Sequence, residues 1–100
     1  MNDKTKDRVN ELEGALKRLV KIAADGHVMR CEFSWDGSKE DGHIGRPGWL
    51  SEAFCKLDNG GDLDQRLTNV LTELFSLIEC PKKRVILAQI DDGSVRLEYK

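Results

Sequence analysis

Residues 84–99 read RVILAQIDDGSVRLEY, and this stretch decides the fold class. Apolar and polar residues alternate on both sides of Asp92-Gly93, a dipeptide that favours a two-residue type I′ turn. The turn sets an antiparallel register in which paired residues share one face. The pairs on the apolar face are Ile90 with Val95, Ala88 with Leu97, and Ile86 with Tyr99. Because a slip of one residue would put Arg96 and Glu98 on that face, the sequence predicts a C-terminal hairpin in one register.

Two long helices are predicted from apolar residues spaced three and four apart. The first runs from about Thr5 to Asp25 and ends at Gly26. The second starts after Asp62, whose carboxylate can cap it, and stops before Pro81. The first apolar stripe consists of Val9, Leu12, Leu16, Leu19, Val20 and Ala23. The second consists of Leu63, Leu67, Val70, Leu71, Leu74, Leu77 and Ile78.

The region between the two long helices contains a strand, an irregular stretch and a short helix. Alternate residues of His27–Trp35 are apolar, which predicts a strand with one buried face. Residues 36–48 carry almost no apolar side chains and predict a long loop, with a short edge strand around Gly42–Gly45 as the alternative. Pro47 favours the start of a short helix that ends before Asn59.

The predicted order of elements is α-β-α-α-β-β, which is an α+β fold. We expect a small antiparallel sheet of three strands, or four if the edge strand forms, with helices packed on one face. The other sheet face carries polar residues and is expected to contact solvent. At 100 residues, the chain is expected to form a single domain, residues 1–100.

Composition argues against several classes of protein. A formal net charge of -2 does not favour a dedicated binder of nucleic acid or of anionic membranes. No apolar run approaches the roughly 20 residues that a membrane helix needs. The three cysteines, Cys31, Cys55 and Cys80, are odd in number and widely spaced, which argues against a disulfide framework. We therefore expect a cytoplasmic protein with reduced thiols and no membrane segment.

The residues that could do chemistry do not form a recognisable set. His27 and Cys31 lie on the predicted strand, where four residues span roughly 13 Å, too far for one metal ion. A nucleophilic cysteine needs a neighbouring base, and His43 with Cys55 is the one pairing that the sequence leaves open. We expect no metal, no cofactor and no catalytic residues, and a small Cys/His enzyme is an alternative.

Acidic charge is concentrated in residues 32–64, which hold eight acidic and three basic residues, a net charge of -5. The glycine-rich stretch 36–48 falls within this region, between Trp35 and Trp49. Long irregular segments in small domains are often functional, and acidic residues around aromatic anchors suit a basic protein partner. The predicted partner-binding residues are Trp35, Asp36, Glu40, Asp41, His43, Arg46, Trp49 and Glu52.

The function that these patterns favour is that of a small non-catalytic protein that masks or tethers a protein partner. In size, charge and layout the chain is similar to bacterial immunity proteins and phage-borne inhibitors, which implies an inhibitor-type role. One alternative is nucleic-acid binding through Lys82, Lys83, Arg84 and Arg96. Another is a homodimer formed through an exposed sheet edge or through the outer sheet face near Val85 and Leu87.

Overall fold

The computed structural model describes residues 3–27, 29–36, 43–58, 62–78, 84–91 and 93–99. Within these ranges the elements are α1 (Asp3–Ala24), β1 (Met29–Asp36), β2 (His43–Gly45), α2 (Gly48–Asp58), α3 (Asp62–Leu77), β3 (Arg84–Asp91) and β4 (Ser94–Tyr99). The α+β class and the C-terminal hairpin are confirmed. The order is α-β-β-α-α-β-β, because β2 forms in addition to the three strands predicted with most support.

The described strands form one antiparallel sheet in the order β2-β1-β3-β4. The hairpin β3–β4 has the predicted register, in which Ile90 pairs with Val95, Ala88 with Leu97 and Ile86 with Tyr99. Gly93 has a φ of 78°, the left-handed conformation that a tight hairpin turn requires. On the other side of β3, β1 places Cys31 opposite Ala88, so these three strands align their apolar residues on one face.

The helices cover that apolar face, as the sequence predicts. α1 packs on β3 and β4, α3 contacts β2, and α2 packs against both of the longer helices. α1 and α3 run antiparallel, since Arg8 near the start of α1 binds Glu73 near the end of α3. The largest fully buried side chains are Phe33, Phe54, Phe75, Leu16, Leu50, Leu67, Leu71, Leu74, Ile86 and Val20.

The prediction of a long loop over residues 36–48 is wrong in part. β1 continues to Asp36, and β2 occupies His43–Gly45 at the edge of the sheet. Such a short edge strand is held by backbone pairing, with Trp35 opposite Ile44. Backbone pairing does not need an alternating apolar pattern, so the strand left little trace in the sequence.

Among the side chains that the structure describes, Leu87 is the apolar residue on the otherwise polar outer face of the sheet. Leu87, which the sequence placed on this partly polar face, is only 5% exposed. Because β3 is a central strand, Leu87 has neighbours on both sides, Glu32 on β1 and Glu98 on β4. This central position contributes to the burial of Leu87.

Candidate functional site

The predicted partner-binding residues fall mainly on β2 and α2, residues 43–58, which we call the β2–α2 segment. It carries His43, Arg46, Trp49 and Glu52 within a short length of chain. Trp35 lies on the neighbouring strand β1. Asp36 is described by its backbone alone, opposite His43, whereas Glu40 and Asp41 lie outside the described residues.

Arg46, at the junction of β2 and α2, is held by α3. Its guanidinium Nη1 donates a hydrogen bond to the Asp64 carboxylate at 2.7 Å and another to the Asp64 backbone oxygen at 3.3 Å. Its Nη2 donates to the hydroxyl of Thr68. The Arg46 side chain is only 16% exposed and that of Asp64 is 33% exposed. Partial burial and several donors make this a stronger contact than a surface ion pair.

The same carboxylate also binds the first turns of α2. The hydroxyl of Ser51 donates to Asp64 at 3.1 Å, and that of Thr68 donates to the Asp64 backbone oxygen at 3.1 Å. We call Arg46, Ser51, Asp64 and Thr68 the Arg46 cluster. Sequence reasoning placed Arg46 among the partner-binding residues and did not identify the other three. No local signal could have found them, because the cluster joins residues 13 to 22 positions apart.

Both tryptophans lie partly within the core. Trp35 and Trp49 are half-buried and pack against the buried cluster. The ring of Trp35 lies on Phe75 of α3, with 6.1 Å between ring centroids and an interplanar angle of 34°. For Trp35, this position agrees with the alternation of apolar residues in His27–Trp35. Each indole combines a packing role with some accessible surface, the combination that suits an anchor for a partner.

The rest of the β2–α2 segment presents an exposed polar surface. His43 and Glu52 are exposed, and Trp49 and Glu52 are three positions apart, so they lie on neighbouring parts of one helix face. At the end of the same helix Leu57 is 57% exposed. The segment thus places an indole, a carboxylate and an imidazole on a backbone that the Arg46 cluster attaches to α3.

The described thiols differ sharply in environment. Burial raises the pKa of the Cys31 thiol to about 12, which disfavours the reactive thiolate at neutral pH. Cys55 is exposed on α2 and His43 is exposed on β2. In the described part of the chain, no three His, Cys, Asp or Glu side chains lie close enough together to hold a metal ion.

The residues of the nucleic-acid alternative are mostly beyond structural description. Lys82 and Lys83 lie outside the described residues, and Arg84 is described by its backbone alone. Arg96 is exposed on the outer sheet face, opposite Gln89. The side chain of Val85, named for the homodimer alternative, also lies outside the description. No helix among the described residues has both the length and the apolar character needed to span a membrane.

A groove between α1 and α3 is a second surface that the sequence did not reveal. Its volume is about 380 Å³, and Ile22 on its rim is 46% exposed. The lining residues are Ala15, Arg18, Leu19, Ile22, Leu63, Arg66, Asn69 and Val70. The groove arises from the antiparallel packing of two helices distant in sequence, so neither helix pattern alone predicts it.

No protein-family model matches the sequence, and no curated protein or solved structure is significantly similar to it.

Proposed function

We propose that this chain is a small non-catalytic protein-binding module, which docks a basic partner protein on its β2–α2 segment. The observation that carries the proposal is the half-buried Trp49 beside exposed Glu52, on a segment attached to α3 by the Arg46 cluster. His43 lies at the β2 end of this docking surface, and the sequence just before β2 contains two further acidic residues, Glu40 and Asp41. In this arrangement Arg46 positions the surface and does not contact the partner.

The proposal rests on how binding energy is usually distributed at protein interfaces. Aromatic side chains supply much of the energy at central positions, and surrounding charges steer the encounter and select the partner. Arg46 is already bound by Asp64, so its positive charge is compensated within the chain. Glu52 on the same helix as Trp49, together with the net charge of -5 over residues 32–64, therefore favours a partner with a basic surface.

Attachment of the β2–α2 segment to α3 also supports a binding role. Ordering a loop on binding costs free energy that is lost from the affinity, and a segment already held in place avoids much of that cost. Leu50 and Phe54 of α2 are fully buried. The helix that presents Trp49 and Glu52 is therefore anchored in the core. A preformed surface of this kind suits an inhibitor or immunity-type protein that masks its target.

A cytoplasmic location is part of the same proposal. It is supported by Cys31 and Cys55, which are free thiols, because cysteines that remain reduced are typical of the cytoplasm.

The test compares three forms of the protein as baits, with captured proteins quantified by mass spectrometry at low and high salt. The site variant is Glu40→Gln, Asp41→Asn and Glu52→Gln, which removes one acidic charge from α2 and two from the sequence just before β2. The matched control is Asp3→Asn, Asp7→Asn and Glu32→Gln, which removes three exposed acidic charges elsewhere. Thermal unfolding of each form checks that the fold is retained.

We expect one or a few basic proteins to be captured by the wild type and by the control, and to be lost with the site variant. Capture should also weaken as salt rises, because exposed charges are screened. Identical capture by the wild type and the site variant would show that this surface does not bind a partner.

A further inference from the structure

We propose that two copies of this chain pair through the free edge of β4, antiparallel, with Leu97 of one copy opposite Leu97 of the other. Within the described part of the chain, β4 lies at one end of the sheet and is paired with β3. The opposite edge is β2, which has three residues against the six of β4. A strand at a sheet edge presents unpaired backbone groups that a second chain can bind.

The register of the hairpin shows which backbone groups point outward. Asp91 and Ser94 close the two-residue turn as a hydrogen-bonded pair, and bonded and non-bonded pairs then alternate along the ladder. Arg96 and Glu98 therefore direct their N–H and C=O groups toward β3. Those of Val95, Leu97 and Tyr99 point to the free edge.

Pairing two copies about Leu97 satisfies both faces of the sheet. On the inner face Val95 lies opposite Tyr99 of the second copy, and the two Leu97 side chains meet at the symmetry axis. On the outer face Arg96 lies opposite Glu98 of the second copy, and symmetry forms this pair twice. Apolar residues thus face apolar residues, and each cation faces a carboxylate.

Other symmetric registers are less favourable. Pairing about Arg96 would place two arginines directly opposite each other, and pairing about Glu98 would do the same with two carboxylates. Like charges directly opposite one another destabilise an antiparallel pair. Pairing about Val95 would use only the first part of the strand, because the turn at Gly93 lies just before Ser94 and limits the number of paired residues. Of the registers centred on Val95, Arg96, Leu97 and Glu98, the sequence of β4 therefore favours the one about Leu97.

β4 carries charged residues, which can protect a sheet edge, but Arg96 and Glu98 are opposite in sign and match in the proposed register. Its sequence, SVRLEY, contains no Pro or Lys, and its register with β3 is regular, with no bulge. Tyr99 is 41% exposed, and its hydroxyl donates to Glu13 of α1, which holds the ring beside the edge. A six-residue edge offers a small interface, so the dimer should be reversible and dependent on concentration.

The test uses the matching charged residues that flank β3 on the outer sheet face. Gln89 lies between Arg30 and Arg96, and Leu87 lies between Glu32 and Glu98. Arg96 and Glu98 are at the edge, whereas Arg30 and Glu32 are on β1, inside the sheet. Charge reversals on β1 are therefore matched controls for the same reversals on β4.

Sedimentation velocity over a series of protein concentrations would measure the dimer dissociation constant. Arg96→Glu alone would place a carboxylate opposite Glu98 of the second copy, and symmetry would repeat this repulsive pair. Glu98→Arg alone would likewise place a cation opposite Arg96 of the second copy at both positions. Each should weaken the dimer about tenfold or more. The double variant Arg96→Glu with Glu98→Arg restores opposite charges and should return the constant to the wild-type value. Arg30→Glu with Glu32→Arg should leave it unchanged.

Hydrogen exchange provides a second readout at single residues. As the protein concentration rises, exchange should slow at the amides of Val95, Leu97 and Tyr99. It should not change at Arg96 and Glu98, which are already bonded to β3. A monomer at all concentrations, or a dimer that the single charge reversals do not weaken, would overturn the proposal.

Discussion

The hairpin β3–β4 and the β2–α2 segment both pack on one core, but they are held there by different kinds of contact. In the hairpin, Ile86, Ala88 and Ile90 are buried in a row, and their partners on β4 are close in sequence. The β2–α2 segment has a three-residue strand, two fully buried anchors in α2, and the Arg46 cluster. The hairpin is thus held by many similar contacts and the segment by a few specific ones.

This difference bears on the proposed docking surface. Many similar apolar contacts tolerate the weakening of one of them, because the others preserve the register. A partly buried polar contact such as the Arg46 cluster is more sensitive, since losing one partner leaves the other partly desolvated and without its hydrogen bond. We therefore expect the β2–α2 segment to respond to single substitutions that leave the hairpin unaffected, and four predictions test this difference.

Phe54→Ala should have the largest effect. Phe54 is a fully buried residue of α2, and truncating a buried phenylalanine typically costs about 3–5 kcal/mol of unfolding free energy. Urea unfolding would measure the loss. Leu57→Ala on the same helix is the control, since Leu57 is 57% exposed and its truncation should cost about 0.5 kcal/mol or less. Equal losses in the two variants would contradict the difference in burial.

Arg46→Met should have the next largest effect, because it leaves Asp64 partly buried without its cationic partner. Both side chains retain some solvent contact, so we expect a loss of about 1–2 kcal/mol in urea unfolding. The control is Arg66→Met on α3, where the pair with Asp62 is exposed and is expected to contribute about 0.5 kcal/mol or less.

Hydrogen exchange would sharpen the same comparison. In Arg46→Met the amides of β2 and α2 should exchange faster, with little change in the amides of β3 and β4. Faster exchange in both regions alike would show that the Arg46 cluster supports the whole domain and not the β2–α2 segment in particular.

The hairpin side of the core should be sensitive to alkaline pH through Cys31, which lies opposite Ala88. Burial raises the pKa of Cys31 from an ordinary value of 9.0 to about 12. The stability that depends on the protonated thiol is complete below the unfolded pKa and is lost as pH rises from about 9 toward 12. The slope is about 1.4 kcal/mol per pH unit, so Cys31→Ala should flatten the decline seen in unfolding measurements above pH 9. An unchanged slope in this variant would assign the decline to other groups.

The pair between Arg8 and Glu73 should have the smallest effect, because both side chains are well exposed. The Arg8 guanidinium lowers the pKa of Glu73, so the contribution is present at neutral pH and is lost as pH falls through that lowered pKa. The stability difference between the wild type and Arg8→Gln should therefore shrink both in acid and in high salt. A difference that persists under both conditions would point to packing by the arginine stem instead of charge.

The elements that the sequence predicts are those with a pattern that repeats over neighbouring residues. The hairpin register, the bounds of α1 to within two residues, the start of α3 and the apolar face of β1 follow from periodicity over neighbouring residues. The end of α3 was predicted just before Pro81, whereas the helix ends at Leu77. β2 was offered as an alternative to a loop, since three residues are too short for a period to show. Of the candidate site, Trp49 and Glu52 were identified from charge and aromatic content, while the partners of Arg46 were not identified.

The sequence by itself determined the α+β class, the long helices and the hairpin, because each depends on a repeat that spans adjacent residues. Only the tertiary structure decided that Arg46 binds Asp64 and Thr68, that Leu87 is buried on a polar face, and that β4 is left at an edge. These outcomes depend on which distant segments become neighbours. A local sequence pattern does not show which distant segments become neighbours. The free energy that selects that arrangement is distributed over contacts across the whole core.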